Sequence, residues 1–221
     1  MNVTDAIKSR RTYRAYKPDL IPDDELRELI DIARWSPSNT NTQPWHFAVV
    51  SGKPLRDLEN ELLKHIMSGG QQNPAFEPSS VPLKGVHKER QYDCANRYYG
   101  TMGIKREDKN ARNMLALKNF QFFGAPHAAF LSMPADMNHT NSLDLGIFLQ
   151  SFMLLLTERG MASCAQGALA MYPDPIFKVA DIPEGNAIVC GISFGYADDT
   201  AKINETRMIR AKLEDVASFV S

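Results

Sequence analysis

Ser36-Pro37-Ser38-Asn39-Thr40-Asn41-Thr42-Gln43-Pro44-Trp45 is the stretch on which the reading of this chain turns. Its ten residues include two serines, two threonines, two asparagines and one glutamine, side chains that donate hydrogen bonds without adding charge. Such a segment suits a polar heteroaromatic ligand, and it also suits an ordinary turn. What flanks it is regular. Upstream, Pro22-Asp23-Asp24-Glu25 opens a helix, with proline in the first turn and acids at the positive end of the dipole. Leu26, Leu29, Ile30 and Ala33 follow at helical spacing. Downstream, Trp45 to Ser51 is short, β-prone and bounded by Pro44 and Gly52, which predicts a strand. The polar loop therefore joins a helix to a strand.

Working outward, a short opening helix is expected over residues 4–10 and a further helix over 55–67. Gly69 to Pro82 is rich in Gly, Pro and Ser and reads as a loop. Residues 83–109 are polar and aromatic with no clear period, so 68–110 reads as an excursion, either a functional lid or a disordered surface insertion. Helical pattern resumes at 110–123 and stops at Gly124-Ala125-Pro126. Ala128–Met133 and Ala187–Phe194 are expected as buried strands. Between them, Ser142 could cap a helix from Leu143 to Arg159 that Gly160 ends. That helix is apolar on nearly all sides from 147 to 156, which places it in a core or an oligomer interface. Residues 207–219 are a mixed tail that could close as a helix. One sheet flanked by helices, α/β or α+β, is the expected class.

The 221 residues are 43% hydrophobic and 23% charged with a net charge of −1, which points to a folded domain and away from nucleic acid or an anionic membrane as partner. Cys94, Cys164 and Cys190 are odd in number and widely spaced, so a disulfide framework is not expected; buried thiols in a reducing compartment are. The opening residues lack the apolar stretch of a signal peptide, and the longest apolar block, Phe152–Leu156, is far short of a membrane span. A cytoplasmic protein is expected, and the N-x-S/T triplets at Asn2, Asn138 and Asn204 then carry no weight.

Several chemistries have no motif. Neither G-x-G-x-x-G nor a P-loop occurs. His46, His65, His87, His127 and His139 are scattered without metal-ligand spacing, and no metal site is expected. His127, in a buried strand, reads as a hydrogen-bonded core histidine. His87-Lys88-Glu89 lacks the cysteine half of a zinc-deaminase signature. Gly191-Ile192-Ser193-Phe194-Gly195 fits G-x-S-x-G, but no histidine follows His139 to complete a triad, so strand-end glycines are the expected reading.

The basic residues are uneven. Arg10, Arg11 and Arg14, with Thr12 among them, crowd the end of the first helix, and Arg207, Arg210 and Lys212 crowd the tail. Alone, these clusters admit two readings: charge complementing a helix end, or bidentate capture of a phosphorylated ligand.

Arg10-Arg11-Thr12-Tyr13-Arg14 followed by the Ser36–Trp45 loop resembles the opening of the nitroreductase family, whose members begin R-[RH]-[ST]-x-[RK] and continue with S-P-S-x-x-N-x-Q-P-W. The resemblance extends to Phe122-Phe123-Gly124-Ala125-Pro126, to Gly160-Met161-Ala162-Ser163-Cys164-Ala165-Gln166-Gly167, and to Arg207-x-x-Arg210-x-x-Leu213. It spans most of the chain apart from residues 68–110.

The resemblance implies an α+β fold, an α/β sandwich with a central, mostly antiparallel sheet, in one domain over residues 1–221 that forms an intertwined homodimer. FMN would bind at the subunit interface. Arg10, Arg11, Thr12 and Arg14 match the family's first FMN-contacting motif, at the phosphate and the pyrimidine edge. Arg210, helped by Arg207, matches the C-terminal phosphate clamp. Ser38, Asn39 and Asn41 match the loop that reaches FMN from the partner subunit. Gln166 and Gly167 match the stretch near flavin N5, although many members carry an acid where Gln166 stands. The long helix would be core or dimer interface, and Tyr98, Tyr99 or Met102 would lie near the substrate. The implied activity is ping-pong hydride transfer from NAD(P)H, via flavin N5, to nitroaromatic, quinone or related acceptors, with no catalytic side chain. Reductive dehalogenation, alkene reduction, flavin degradation, or flavin binding with little turnover are the alternatives.

Overall fold

The apolar run around residues 128–133 is the middle of the molecule because it is covered on both sides. The computed structural model describes residues 1–76 and 81–220. Four strands, β1 (His46–Ser51), β2 (His127–Pro134), β3 (Ala162–Gln166) and β4 (Asn186–Gly195), form one antiparallel sheet in the order β1-β2-β4-β3. In β2 the residues alternate between two cores. Ala129, Leu131 and Met133 face one side, and Ala128 and Phe130 face the other. Burial on both faces is why the strand reads as continuous hydrophobicity rather than as alternation.

Helices supply the outer layers. On one side α2 (Asp23–Ala33) and α6 (His139–Glu158) pack Leu26, Leu29, Leu145, Phe148, Phe152 and Leu156 against the sheet. On the other, α3 (Gly52–Met67) and α7 (Pro173–Phe177) bring Leu55, Leu58, Leu62 and Ile176. Phe47, Phe152 and Phe194 meet edge-on at 4.9 and 5.3 Å between ring centroids, which locks the sheet to α6. The architecture is the expected α+β sandwich.

Several local expectations are corrected. The helix expected from Leu143 starts at His139, because the Asn138 side chain, not Ser142, caps it by accepting the Thr140 N–H at 2.8 Å. The stretch without a period contains α4 (Gly85–Thr101), a helix with no buried residue. A helix that faces no core carries no hydrophobic stripe to read. Of the expected loop Gly69–Pro82, residues 77–80 lie outside those described. Asp108 caps α5 (Lys109–Leu117), which ends earlier than the pattern at 110–123 suggested. The tail does not close as a helix: beyond Thr206 it is extended, with one short turn at Leu213–Asp215. β3 was not foreseen as a strand, since Ala162-Ser163-Cys164-Ala165-Gln166 is short and carries no β-branched residue.

What positions the site is the chain leaving α1 (Val3–Ser9). It runs beside the edge strand β3, where Tyr13 N–H donates to Ser163 O at 3.0 Å and Thr12 bridges Ser163 in parallel. Tyr16, half-buried, shares its one hydroxyl proton between Tyr13 O at 2.9 Å and Ser193 O at 3.1 Å. Residues 10–16 are thereby stitched to the sheet although they belong to no strand. No helix among the described residues is long and apolar enough to cross a membrane.

Candidate functional site

The two arginine clusters, 193 or more residues apart in sequence, meet. A cleft of about 1040 Å³ is walled by residues 7–14, by Cys94 of α4 and by residues 206–208 and 210 of the tail. Arg10, Arg11, Thr12, Arg14, Arg207 and Arg210 all line it. The tail is brought there by Asn204, a buried side chain that makes three hydrogen bonds. Its Oδ1 accepts the Arg14 N–H at 2.8 Å, and its Nδ2 donates to Ala15 O at 2.8 Å and Asp198 O at 2.9 Å.

The cleft holds charge without countercharge. Among the described residues none of these five arginines has a carboxylate at ion-pair distance; outside the cleft Arg106 and Arg112 also lack one, whereas Arg27, Arg34, Arg56, Arg90 and Arg97 each have one and Arg159 has two. Burial, and then the neighbouring charge of Arg210, lower the Arg10 pKa from its ordinary value. Arg11 Nε and Thr206 Oγ1 are buried with no hydrogen-bond partner among the described residues. Buried donors are normally satisfied, so these two call for an acceptor. Concentrated arginines, spare donors and no acid fit a phosphate-bearing anion.

Arg11 lies over the Tyr13 ring at 4.5 Å, and Arg14 has two rings against it. The Arg14 guanidinium lies over the Tyr98 ring at 4.5 Å and the Phe123 ring at 5.8 Å. Desolvation of this corner pushes the Tyr98 hydroxyl pKa up to about 12. A smaller cavity of about 380 Å³, lined by Met102, Phe123 and Lys118 among others, lies against the same guanidinium. Tyr99 instead packs under Arg112 at 4.2 Å. Of the residues expected near a substrate, Tyr98 and Met102 therefore adjoin the site and Tyr99 does not.

A model of the Nitroreductase family matches residues 7–196. The chain belongs to that family. It is 38% identical over 213 residues to Nitroreductase NfnB of Mycolicibacterium smegmatis, covering 96% of this chain and 90% of the relative. To 4-nitrobenzoate reductase of Pseudomonas putida it is 34% identical, with 97% and 93% covered. The crystal structure of the FMN-dependent nitroreductase NfnB from Mycobacterium smegmatis in complex with NADPH superposes with a TM-score of 0.94 at 36% identity, covering 99% of this chain and 97% of that one.

None of the remaining family-motif residues, Ser38, Asn39, Asn41, Gln166 and Gly167, lines this cleft. Ser38, Asn39 and Asn41 lie on the loop after α2. The loop is shaped from beneath: Asp144 Oδ1 accepts the Asn39 N–H at 3.1 Å, and Ser38 Oγ accepts the Gln43 N–H at 2.9 Å. Thr40, Asn41 and Gln43 adopt left-handed backbone conformations, while Asn39 and Asn41 stay exposed. Gln166 is buried at the end of β3. Its Nε2 donates to Asn119 O at 2.8 Å and its Oε1 accepts from the Ser193 hydroxyl. Gly167 follows it exposed, with nothing within 4 Å of where a Cβ would stand.

Two alternatives are settled by the same bonds. Ser193 is fully buried and spends its hydroxyl on Gln166, so it is no nucleophile. His127 is the core histidine expected: Nε2 accepts the Ile21 N–H at 2.9 Å, Nδ1 meets Ser51 Oγ at 2.6 Å, and burial lowers its pKa to about 4. Among the thiols, Cys164 is buried and Cys190 largely so, and burial raises both pKa values to about 11. Cys94 departs from the expectation and lies exposed beside the arginines. The residues missed in the sequence were Asn204 and Thr206. They form one of the triplets set aside there, and its position just ahead of Arg207-x-x-Arg210 was the available clue.

Proposed function

We propose that residues 1–221 act as one FMN-binding unit, a homodimeric oxidoreductase that uses NAD(P)H to reduce nitroaromatic, quinone or related acceptors. The observation that carries this reading is the cleft of five arginines that, among the described residues, no carboxylate pairs with, and beside which Arg11 Nε and Thr206 Oγ1 have no partner. It is supported by the family and by relatives described as FMN-dependent, NADPH-bound or acting on 4-nitrobenzoate. FMN, when bound, supplies the hydride relay between donor and acceptor in two half-reactions, a ping-pong scheme.

The chain's own residues then bind and orient. Arg10, Arg11, Arg207 and Arg210 hold the phosphate, with Thr12 and Thr206 as hydroxyl partners. Each charge-assisted bond contributes about 1.5–3 kcal/mol. Arg14 offers positive charge to the electron-rich pyrimidine edge, which favours the reduced, anionic form. Gly167, lacking a side chain, lets the ring system approach the end of β3. No side chain serves as nucleophile or base.

The dimer rests on a second observation. Val3, Ile32 and Trp35 are exposed, Trp35 at 78%, and with Leu154 and Leu155 of α6 they line an apolar groove of about 400 Å³. A monomer rarely leaves such a face in water. Closing it against a second copy accounts for the all-round apolar character of α6. It also leaves the Ser38–Asn41 loop, idle toward its own cleft, free to serve the partner's.

The test is the visible spectrum of freshly purified protein, identification of the released chromophore, and NADPH oxidation on addition of 4-nitrobenzoate. A flavin spectrum with one FMN per chain and acceptor-dependent oxidation are expected. A colourless protein that takes up no added FMN overturns the reading.

A further inference from the structure

Arg14 is held by its faces and not by its edges. Tyr98 and Phe123 present their rings to the guanidinium at 4.5 and 5.8 Å, and among the described residues none of its side-chain N–H groups is spent on the protein. A carboxylate in their place would hold the side chain too, but it would neutralise the charge and occupy the donors. Aromatic faces attract the cation through the ring quadrupole and leave the edge donors free for a ligand.

The two rings come from different elements, and the placement of Phe123 is costly in isolation. Phe123 stands in the turn Phe122–Gly124, where Phe122 (φ 51°) and Phe123 (φ 54°) are both left-handed. Bulky residues hold that conformation only where their surroundings demand it. The turn splits the pair: Phe122 packs against Phe130 at 6.2 Å between centroids, and Phe123, also buried, faces Arg14. Tyr98 comes from α4, which has no buried residue and is bracketed by left-handed Gly85 and Gly103. This helix bears on Arg14 through Tyr98, and its Cys94 walls the arginine cleft.

We propose that Tyr98 and Phe123 form an aromatic clamp that positions Arg14 toward the flavin, so that α4 sets both FMN affinity and the reduction potential. The proposal rests on the flavin reading above. Tyr98 is a positioning residue and acts only through Arg14.

The test titrates FMN into apoprotein and measures the flavin midpoint potential in wild type, Tyr98→Phe, Tyr98→Leu, Arg14→Gln and the Tyr98→Leu/Arg14→Gln double variant, each first shown by its melting curve to be folded. Tyr98→Phe keeps the ring and is expected to match wild type. Tyr98→Leu is expected to weaken FMN binding about fivefold and to move the potential to more negative values. In the Arg14→Gln background the same change is expected to do nothing further. A Tyr98→Leu protein with wild-type affinity and potential overturns the clamp, as does an effect that persists undiminished without Arg14. A wild type that takes up no FMN overturns the flavin reading and the clamp's role with it, an outcome distinct from a flavin-binding wild type beside an inert Tyr98→Leu.

Discussion

Acid should loosen this protein through His127, by an amount the structure allows to be worked out. The imidazole is buried between Ile21 and Ser51 and stacks on Phe194 at 5.3 Å. Its Nε2 accepts a backbone N–H and so carries no proton. Burial holds its pKa at about 4, against an ordinary value of 6.5. Between those values the unfolded chain binds a proton that the folded chain refuses. The stabilisation is complete above pH 6.5 and is lost as the pH falls toward 4. The full difference is worth about 3 kcal/mol, of which about 2 kcal/mol is lost between pH 7 and pH 5. For a domain of this size that is a fall in Tm of roughly 4–8 °C. Carboxylates also titrate there, so the measurement is a difference. Thermal melts of wild type and His127→Gln, both FMN-loaded at one protein concentration, are compared at pH 7 and pH 5. Glutamine keeps an acceptor for Ile21 and does not titrate. The variant is less stable at pH 7 through imperfect fit, and the gap is expected to shrink by about 2 kcal/mol at pH 5. Curves that stay parallel from pH 7 to pH 5 would refute the argument, because His127 would then titrate alike in both states.

Other perturbations separate the parts of the site. Arg210→Ala is expected to weaken FMN binding by about tenfold or more, read as flavin lost on dialysis; full retention contradicts the phosphate assignment. Asn204→Ala strands the Arg14 N–H and the Ala15 carbonyl, and should lower the Tm by roughly 5–10 °C along with FMN affinity. Ser193→Ala leaves Gln166 Oε1 one donor short at a cost of about 1–2 kcal/mol, with flavin content and NADPH oxidation unchanged; loss of turnover would reopen a catalytic role for the serine. Trp35→Glu puts charge on the exposed apolar face, so light scattering should report monomer and the flavin should be lost with it. A persistent, fully loaded dimer argues that the interface lies elsewhere.

Much of this protein was legible in its sequence because the relevant physics is local. Pro22 and the first-turn acids Asp23, Asp24 and Glu25 start α2 through backbone preference and the helix dipole, and the apolar runs in β2 and β4 declare burial on both faces. The two arginine clusters and the Ser-Asn loop could be named by chemistry and by family resemblance. Local rules failed where a partner distant in sequence sets the conformation. β3 is a strand only because β4 pairs with it, and α4 has no hydrophobic stripe because it meets no core. The tail is extended because Asn204 ties its start to residues 14 and 15. Composition alone left the arginines between helix-end charge and an anion site. The tertiary structure favours the second: hydrogen bonds of Asn204 and Tyr13 carry the clusters, far apart along the chain, to one cleft, where among the described residues no carboxylate pairs with them.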